Sequence, residues 1–304
     1  MTKLVRFWKK PVAEEVYMFA GWRQWADAGS ISSGLPEYLI NLLDAEKIGE
    51  IQTDGYYLFQ IPGTHHLVRP VVKIEDGYLK GLEVYKNEIY YAGDEHKGLV
   101  IFLGDEPHMD VDRYADAFFT IVHELKVKRV IGFGGVYGPV PYDKDREIGC
   151  LYSLPKMKEE LSKYAVRFSN YEGGSSIGTY LAYQAERERV EFLAFYGFVP
   201  AYDFGQSSAL QPGMRIENDF KAWYDILRRC NHMLDLGLNL TDLEKRSGEL
   251  LDMMEEQISE LEEQAPQLEA RAYLEQVADE FTERSFVPLD DMWEQQFRDL
   301  FGEE

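Results

Sequence analysis

The chain has only two cysteines, Cys150 and Cys230, in 304 residues, which is too few for the disulfide framework of a small secreted domain. Both thiols are expected to be reduced and buried as small apolar groups. No stretch approaches the roughly 20 apolar residues that a membrane-crossing helix needs. The first residues carry Lys3, Arg6, Lys9 and Lys10 and few apolar side chains, unlike a secretory leader. A soluble, cytoplasmic protein is therefore expected. Basic residues are scarce as well: 32 Lys and Arg stand against 54 Asp and Glu, a formal net charge of -22. Such a field repels nucleic-acid phosphates and anionic lipid, so neither nucleic acid nor a membrane is expected as a partner. No Lys follows a glycine-rich loop as in a Walker loop. No second His or Cys stands at a recognisable metal spacing from His108, and no metal or cofactor is expected.

What is present is a substantial core: 45% of residues are apolar and 14% aromatic. Four apolar runs end in what read as glycine-marked turns, at Phe19 to Trp22, Ile101 to Pro107, Val130 to Gly135 and Tyr171 to Ser176. At least three lead into helical patterns, as parallel strands of an open α/β sheet do when they deliver loops to their carboxyl edge. Strands are expected at Val16 to Ala20, Leu99 to Leu103, Arg129 to Phe133, near Val166 to Phe168, and within Val190 to Val199. Helices are expected at about Ser30 to Asp44, Val111 to Leu125 and Ser175 to Arg189. Between Lys47 and Ala92, β-branched and aromatic runs alternate with Asp54-Gly55, Pro62-Gly63, Asp76-Gly77 and Asn87, the pattern of an inserted antiparallel meander. The remainder reads as helical. Phe220, Trp223, Leu227, Cys230 and Leu234 form one stripe. Ser247, Leu250, Met254, Ile258, Leu261, Ala265, Leu268 and Ala272 form a seam, broken by a kink or hairpin near Gln264 because of Pro266. From Thr241 to Glu304 there are 20 acidic and 5 basic residues. This shift sets a boundary, giving an α/β core domain over 1–212 and an acidic helical region over 213–304.

Candidate sites gather at the expected sheet edge. In Gly21 to Ser30, which holds the candidates Trp22, Arg23, Trp25, Asp27, Gly29 and Ser30, the two tryptophans beside the arginine either stack on a ligand or anchor a partner surface, or one or both close the sheet edge against the C-terminal helices. Asp27 or Ser30 also suits the start of the following helix. Gly173, Gly174, Ser175 and Ser176 stand where a helix N-terminus can hold an anion, and equally where Ser175 serves as an ordinary N-cap. Gly132 to Gly138 fails as a dinucleotide fingerprint because Pro139 and Pro141 follow it. In Asp105 to Asp110, the reading favoured is that Asp110 caps the next helix while Asp105 and Glu106 face water. His65 and His66 point to opposite faces of a strand, while His123 and His232 read as packed within helices. No catalytic set emerges. Under an enzymatic reading, Ser175 and Ser176 would donate to an anion, with Asp27 or Glu106 orienting a ribose or acting as base.

Taken in order, several motifs resemble the proteasome-assembly-chaperone family of bacteria and archaea. They are Gly21-Trp22 with Asp27-Ala28-Gly29, Arg69-Pro70, Gly104-x-Glu106-Pro107, Gly134-x-x-x-Gly138-x-x-Pro141, Tyr171-Glu172-Gly173 with Ile177-Gly178, and Pro200-Ala201-Tyr202, followed by an acidic helical tail. The resemblance implies a three-layer α/β fold similar to nucleoside phosphorylases and related hydrolases. A mostly parallel sheet would carry an antiparallel meander insertion and a C-terminal helical extension. It also implies a non-enzymatic, assembly-chaperone-like protein with protein partners that self-associates. The alternative is a phosphorylase-like enzyme binding a nucleoside or anion. This chain departs from the family pattern at the spacer before Asp27, in Pro141 to Arg146, and at Gly173 to Ser176. It ends Leu300-Phe301-Gly302-Glu303-Glu304, without the hydrophobic-tyrosine-any ending of some proteasome partners, so docking through the C-terminus is not expected.

Overall fold

The computed structural model describes residues 4–60, 68–168, 170–204 and 214–286; the His65-His66 pair and Leu300 to Glu304 lie outside them. In chain order the elements are β1 (Val5–Phe7), β2 (Glu15–Arg23), α1 (Gly34–Leu42), β3 (Glu46–Ile51), β4 (Val71–Glu75), β5 (Tyr78–Glu83), β6 (Asn87–Gly93), β7 (Lys97–Asp105), α2 (Val111–Glu124), β8 (Arg129–Gly138), β9 (Ile148–Tyr152), α3 (Lys158–Leu161), α4 (Ile177–Glu188), β10 (Glu191–Tyr202), β11 (Met214–Arg215), α5 (Phe220–Leu234), α6 (Thr241–Gln264) and α7 (Ala270–Glu280). Two compact units result. The first comprises Met1–Gly135, Cys150–Lys158 and Asn170–Tyr196, and the second Val136–Gly149, Glu159–Ser169 and Gly197–Glu304.

The first unit is built on a sheet whose strands follow the order β1-β3-β6-β7-β2-β8-β10. The strands β7, β2 and β8 are parallel, while β1, β3, β6 and β7 pair antiparallel. Alternation along β2 supplies both faces. Val16, Met18, Ala20 and Trp22 pack with Tyr114 and Phe118 of α2 and Ile177, Leu181 and Ala185 of α4. Phe19 points the other way, its ring 5.2 Å from that of Phe133, on the side where Leu35 and Leu39 of α1 are buried. Helices thus cover both faces, as parallel strands require. From β2 the chain goes to β7 on one side and, after α2, to β8 on the other. The carboxyl end of β2 is therefore a topological switch point, where ligand sites of open α/β sheets form.

Several local expectations are corrected. The insertion is not one meander: β3 and β6 widen the main sheet, whereas β4 and β5 form a separate hairpin. No strand spans Val166 to Phe168; Arg167 makes only an isolated bridge to Gly149. The glycines of β2, β7 and β8 lie inside strands rather than in turns, because they mark close backbone approaches. His123 and His232 are exposed, since each lies on the outer side of its helix's apolar stripe.

In the second unit, the stripe of α5 is buried at Trp223, Leu227, Cys230 and Leu234, and that of α6 at Ser247, Leu250, Met254 and Ile258. The helical seam ends where expected: α6 stops at Gln264, Pro266 opens a short turn, and Glu269 adopts φ 47° before α7 starts in a new phase. Ala272 is consequently exposed. A buried ion cluster fixes the start of α5. Arg146 donates to Asp219 from Nε (2.8 Å) and Nη2 (3.3 Å), and from Nη1 to the Tyr142 and Lys144 carbonyls. Lys221 bonds both oxygens of Asp225 at 2.7 and 2.8 Å. Burial drives the Arg229 guanidinium down to about 10 despite its carboxylate neighbours.

Candidate functional site

At the carboxyl end of β2, Trp22 is 4% exposed. Its indole N–H donates to the Tyr114 hydroxyl at 3.0 Å, and that hydroxyl donates to Asn87 Oδ1 at 2.8 Å. The Asn87 amide donates to Tyr57 (2.8 Å), whose hydroxyl reaches the Asp105 carbonyl (2.8 Å). This chain of buried polar groups joins β2, α2, β6 and β7. It needs Gly104, because a Cβ there would stand 2.7 Å from Asn87 Oδ1 and 3.0 Å from the Tyr114 hydroxyl. Asp105 is buried rather than solvated. Its carboxylate accepts from Lys86 N–H at 2.6 Å, with Arg23 3.8 Å away, and burial raises its pKa above the ordinary aspartate value. His108 is used as an acceptor, taking the Leu58 N–H on Nδ1 at 3.1 Å, and burial lowers its pKa. Asp110 precedes α2 with φ 56° but makes no side-chain cap.

The segment after β2 is clamped from inside. Asp27 accepts the Ser32 and Ser33 N–H groups, both at 2.9 Å, and the Ser33 hydroxyl at 2.6 Å. It thus ties the approach to α1, and burial raises its pKa. Gly29 and Ser30 follow with φ 62° and 49°. The loop lies on β8, where Gly135 N–H donates to the Ala26 carbonyl at 2.8 Å. A Cβ on Gly135 would come within 1.9 Å of the Ala28 carbonyl oxygen. Gln24, between Arg23 and Trp25, holds φ 104°, a strained value for a residue with a side chain.

The start of α4 is already filled by the chain's own groups. Glu106 accepts the Ile177 N–H at 2.7 Å and also takes the Trp25 N–H. Its carboxylate therefore occupies the electropositive helix end that could hold a foreign anion. Burial raises the Glu106 pKa, and the two N–H donors oppose that shift. Ser176, not Ser175, is the N-cap, its Oγ accepting Thr179 N–H at 3.2 Å. The Tyr196 hydroxyl lies 3.0 Å from Ser176 Oγ and 2.9 Å from Thr179 Oγ1. Ser176 Oγ is thus engaged by the Thr179 N–H and by two hydroxyls, while the Glu106 carboxylate is held by backbone N–H groups. The cavity among Trp22, Ala26, Glu106, Ser176, Ile177 and Tyr196 measures about 10 Å³, room for about one water. Among the described residues no three His, Cys, Asp or Glu side chains gather as a metal-ligand set.

Above this packed layer lies an exposed rim. Trp25 and Tyr171 are 69% and 75% exposed. The Tyr171 hydroxyl donates to the Gly174 carbonyl at 3.2 Å, and a Cβ on Gly174 would stand 3.5 Å from the Trp25 ring. Gly173 and Ser175 are exposed beside them. Of the residues singled out from sequence, Trp25 thus stands beside Gly174 at the surface, with Gly173 and Ser175 exposed on either side of that glycine, and Glu106 and Ser176 line one cavity beneath. Trp22 lies in the core, Arg23 turns toward Asp105, and Asp27, Gly29 and Ser30 hold the loop. Sequence reasoning missed Tyr114, Thr179 and Tyr196, whose hydroxyls are indistinguishable in a pattern from ordinary helix and strand positions. Asn87, read as a turn residue, is the hub of the buried network. Its polar amide in an apolar strand was the available signal.

The PAC2 family model matches residues 22–261. No curated protein matches the chain. Among solved structures, a proteasome-assembly chaperone homologue of Mycobacterium tuberculosis superposes with TM-score 0.68 at 21% identity, covering 79% of this chain and 94% of that one. A Corynebacterium glutamicum protein of unknown function gives TM-score 0.73 at 16% identity, covering 99% and 100%. The archaeal proteasome activator PbaB of Pyrococcus furiosus gives 0.59 at 20% identity, covering 83% and 97%. The α/β fold expected from the motifs is shared with these proteins, and the family resemblance is borne out.

Proposed function

This chain belongs to the PAC2 family, and on that premise we propose that it is a non-enzymatic, assembly-chaperone-like protein that self-associates and holds a protein partner on the rim of Trp25, Tyr171 and Gly173 to Ser175. One observation carries the reading. At the sheet edge the groups that chemistry would use are committed to the fold, whereas two large aromatic side chains stand in solvent with no core role. Exposed aromatics on a rigid scaffold suit anchoring in a protein interface. The strained Gln24 between Arg23 and Trp25 is consistent with a loop shaped for contact. The names of two relatives, a proteasome-assembly chaperone homologue and a proteasome activator, point to partners of proteasomal type. The rim is the surface we assign to them. No helix among the described residues is long and apolar enough to cross a membrane, and we assign the protein to the cytoplasm.

The phosphorylase-like alternative requires an anion or nucleoside to displace Glu106 from α4 and to open a space far larger than the present cavity. A photo-crosslinking amino acid at position 25, introduced in the native host, separates the readings. The expected result is a covalent adduct with one protein of defined mass that is absent when the crosslinker replaces Trp8, 49% exposed. Equal labelling at both positions, together with thermal stabilisation by phosphate or nucleosides, would overturn the proposal.

A further inference from the structure

The hairpin of β4 and β5 carries its side chains in a pattern that demands a cover. Val72 stands opposite Leu82 and Ile74 opposite Leu79, so all four share one face. Leu79 and Leu82 are three residues apart and would fall on opposite faces of a regular strand. The bulge where the register shifts between Lys73 and Ile74 brings them together. These residues are 45% (Val72), 59% (Leu82), 61% (Ile74) and 65% (Leu79) exposed. Charges are kept off this face: Lys73 pairs with Glu83 at 2.8 Å and Lys80 with Glu75 at 3.2 Å. Asp76 and Gly77, with φ 48° and 79°, close the hairpin in the form that matches strand twist. Among the described residues no third strand joins it. A lone two-stranded hairpin is marginal in water unless its apolar face is packed.

We infer that this face packs against the same face of a second copy of the chain. A two-fold contact needs a self-complementary surface, and a strip of four uncharged aliphatic side chains is one. Charge selects the same place. Two chains of -22 each repel, but the hairpin from Val71 to Glu83 has Lys73 and Lys80 against Glu75, Asp76 and Glu83, so copies meet there with little local repulsion. This inference rests on the self-association proposed above and names its surface.

The full chain and its Ile74→Lys and Leu82→Lys variants should be compared by light scattering coupled to size exclusion, with Lys73→Ala as a control on the charged face. The expected result is an oligomer for the parent chain and Lys73→Ala, and a reduced state for the two lysine variants with unchanged circular dichroism. A Leu79→Cys variant adds an independent readout, since Cys150 and Cys230 are buried. A short bis-maleimide should join it into a covalent dimer but leave a Tyr78→Cys variant single. An oligomer that survives both lysine substitutions and fails to crosslink through position 79 removes the hairpin as the surface and leaves self-association standing. A monomeric parent chain at high concentration overturns both.

Discussion

Replacing Tyr114 with Phe deletes one oxygen atom from the centre of the buried chain that runs from Trp22 to Asp105. Tyr114 is fully buried, and its ring lies edge-on to Tyr56 at 5.3 Å, a contact that Phe keeps. The hydroxyl accepts from Trp22 and donates to Asn87. Asn87 Oδ1 retains the Asp105 N–H (3.3 Å) after the change. The Trp22 indole N–H has no replacement, and an unmet buried donor costs about 1–3 kcal/mol. The low local dielectric favours the upper part of that range. For a unit of this size the melting temperature should fall by about 2–4 °C for each kcal/mol. Urea unfolding followed by circular dichroism reads the loss, with the denaturant slope unchanged. Trp25→Ala, made in parallel, should change stability by no more than about 0.5 kcal/mol because the side chain is mostly in water. A Tyr114→Phe loss below about 0.5 kcal/mol, or an equal loss from Trp25→Ala, would refute the assignment of Trp22 to the fold and Trp25 to the surface.

Three further outcomes follow from the geometry. Asp219→Asn keeps an N-cap acceptor for α5 but strands the buried Arg146 charge, so a loss of about 3–5 kcal/mol in unfolding free energy is expected; adding Arg146→Met removes the stranded charge and should recover part of it, and a single-variant loss under about 1 kcal/mol contradicts the cluster's role. Glu106 has a raised folded-state pKa, so its contribution is full below the ordinary value of 4.5 and fades as pH rises through the folded value. The stability of Glu106→Gln relative to the parent should therefore improve with pH across that window, and a pH-independent difference would show that burial does not govern this carboxylate. Gly135→Ala forces a methyl against the Ala28 carbonyl and should lower the urea midpoint by the equivalent of about 1–3 kcal/mol; an unchanged midpoint would mean that the loop does not rest on β8 as described.

The strands of the sheet centre were legible because uninterrupted apolar runs such as Leu99 to Leu103 can only be buried on both faces. The break in the C-terminal helices was legible because Pro266 removes a donor and fixes φ. The glycines misled. Read as turn markers, they sit within β2, β7 and β8, where Gly104 makes room for Asn87 and Tyr114 and Gly135 for the Ala28 carbonyl. A glycine required by a close approach from a distant segment looks in sequence like one required by a turn. The candidate site divided for a similar reason. Trp22 and Trp25 are three residues apart in one motif, but strand alternation and the departure of the loop after Arg23 send one inward and one outward. Glu106 gave no sign that it would meet the start of α4, since that contact spans 71 residues.

The central claim is that the sheet edge is a protein-contact surface laid over a closed, structural layer. Its most direct measurement is the affinity of the partner captured at position 25 for the parent chain, for Trp25→Ala and for Ser176→Ala. Loss of about 2 kcal/mol or more in Trp25→Ala at unchanged stability is predicted, as for an anchor residue at an interface. Unchanged affinity in Trp25→Ala, with phosphate or nucleoside binding that disappears in Ser176→Ala, would contradict it.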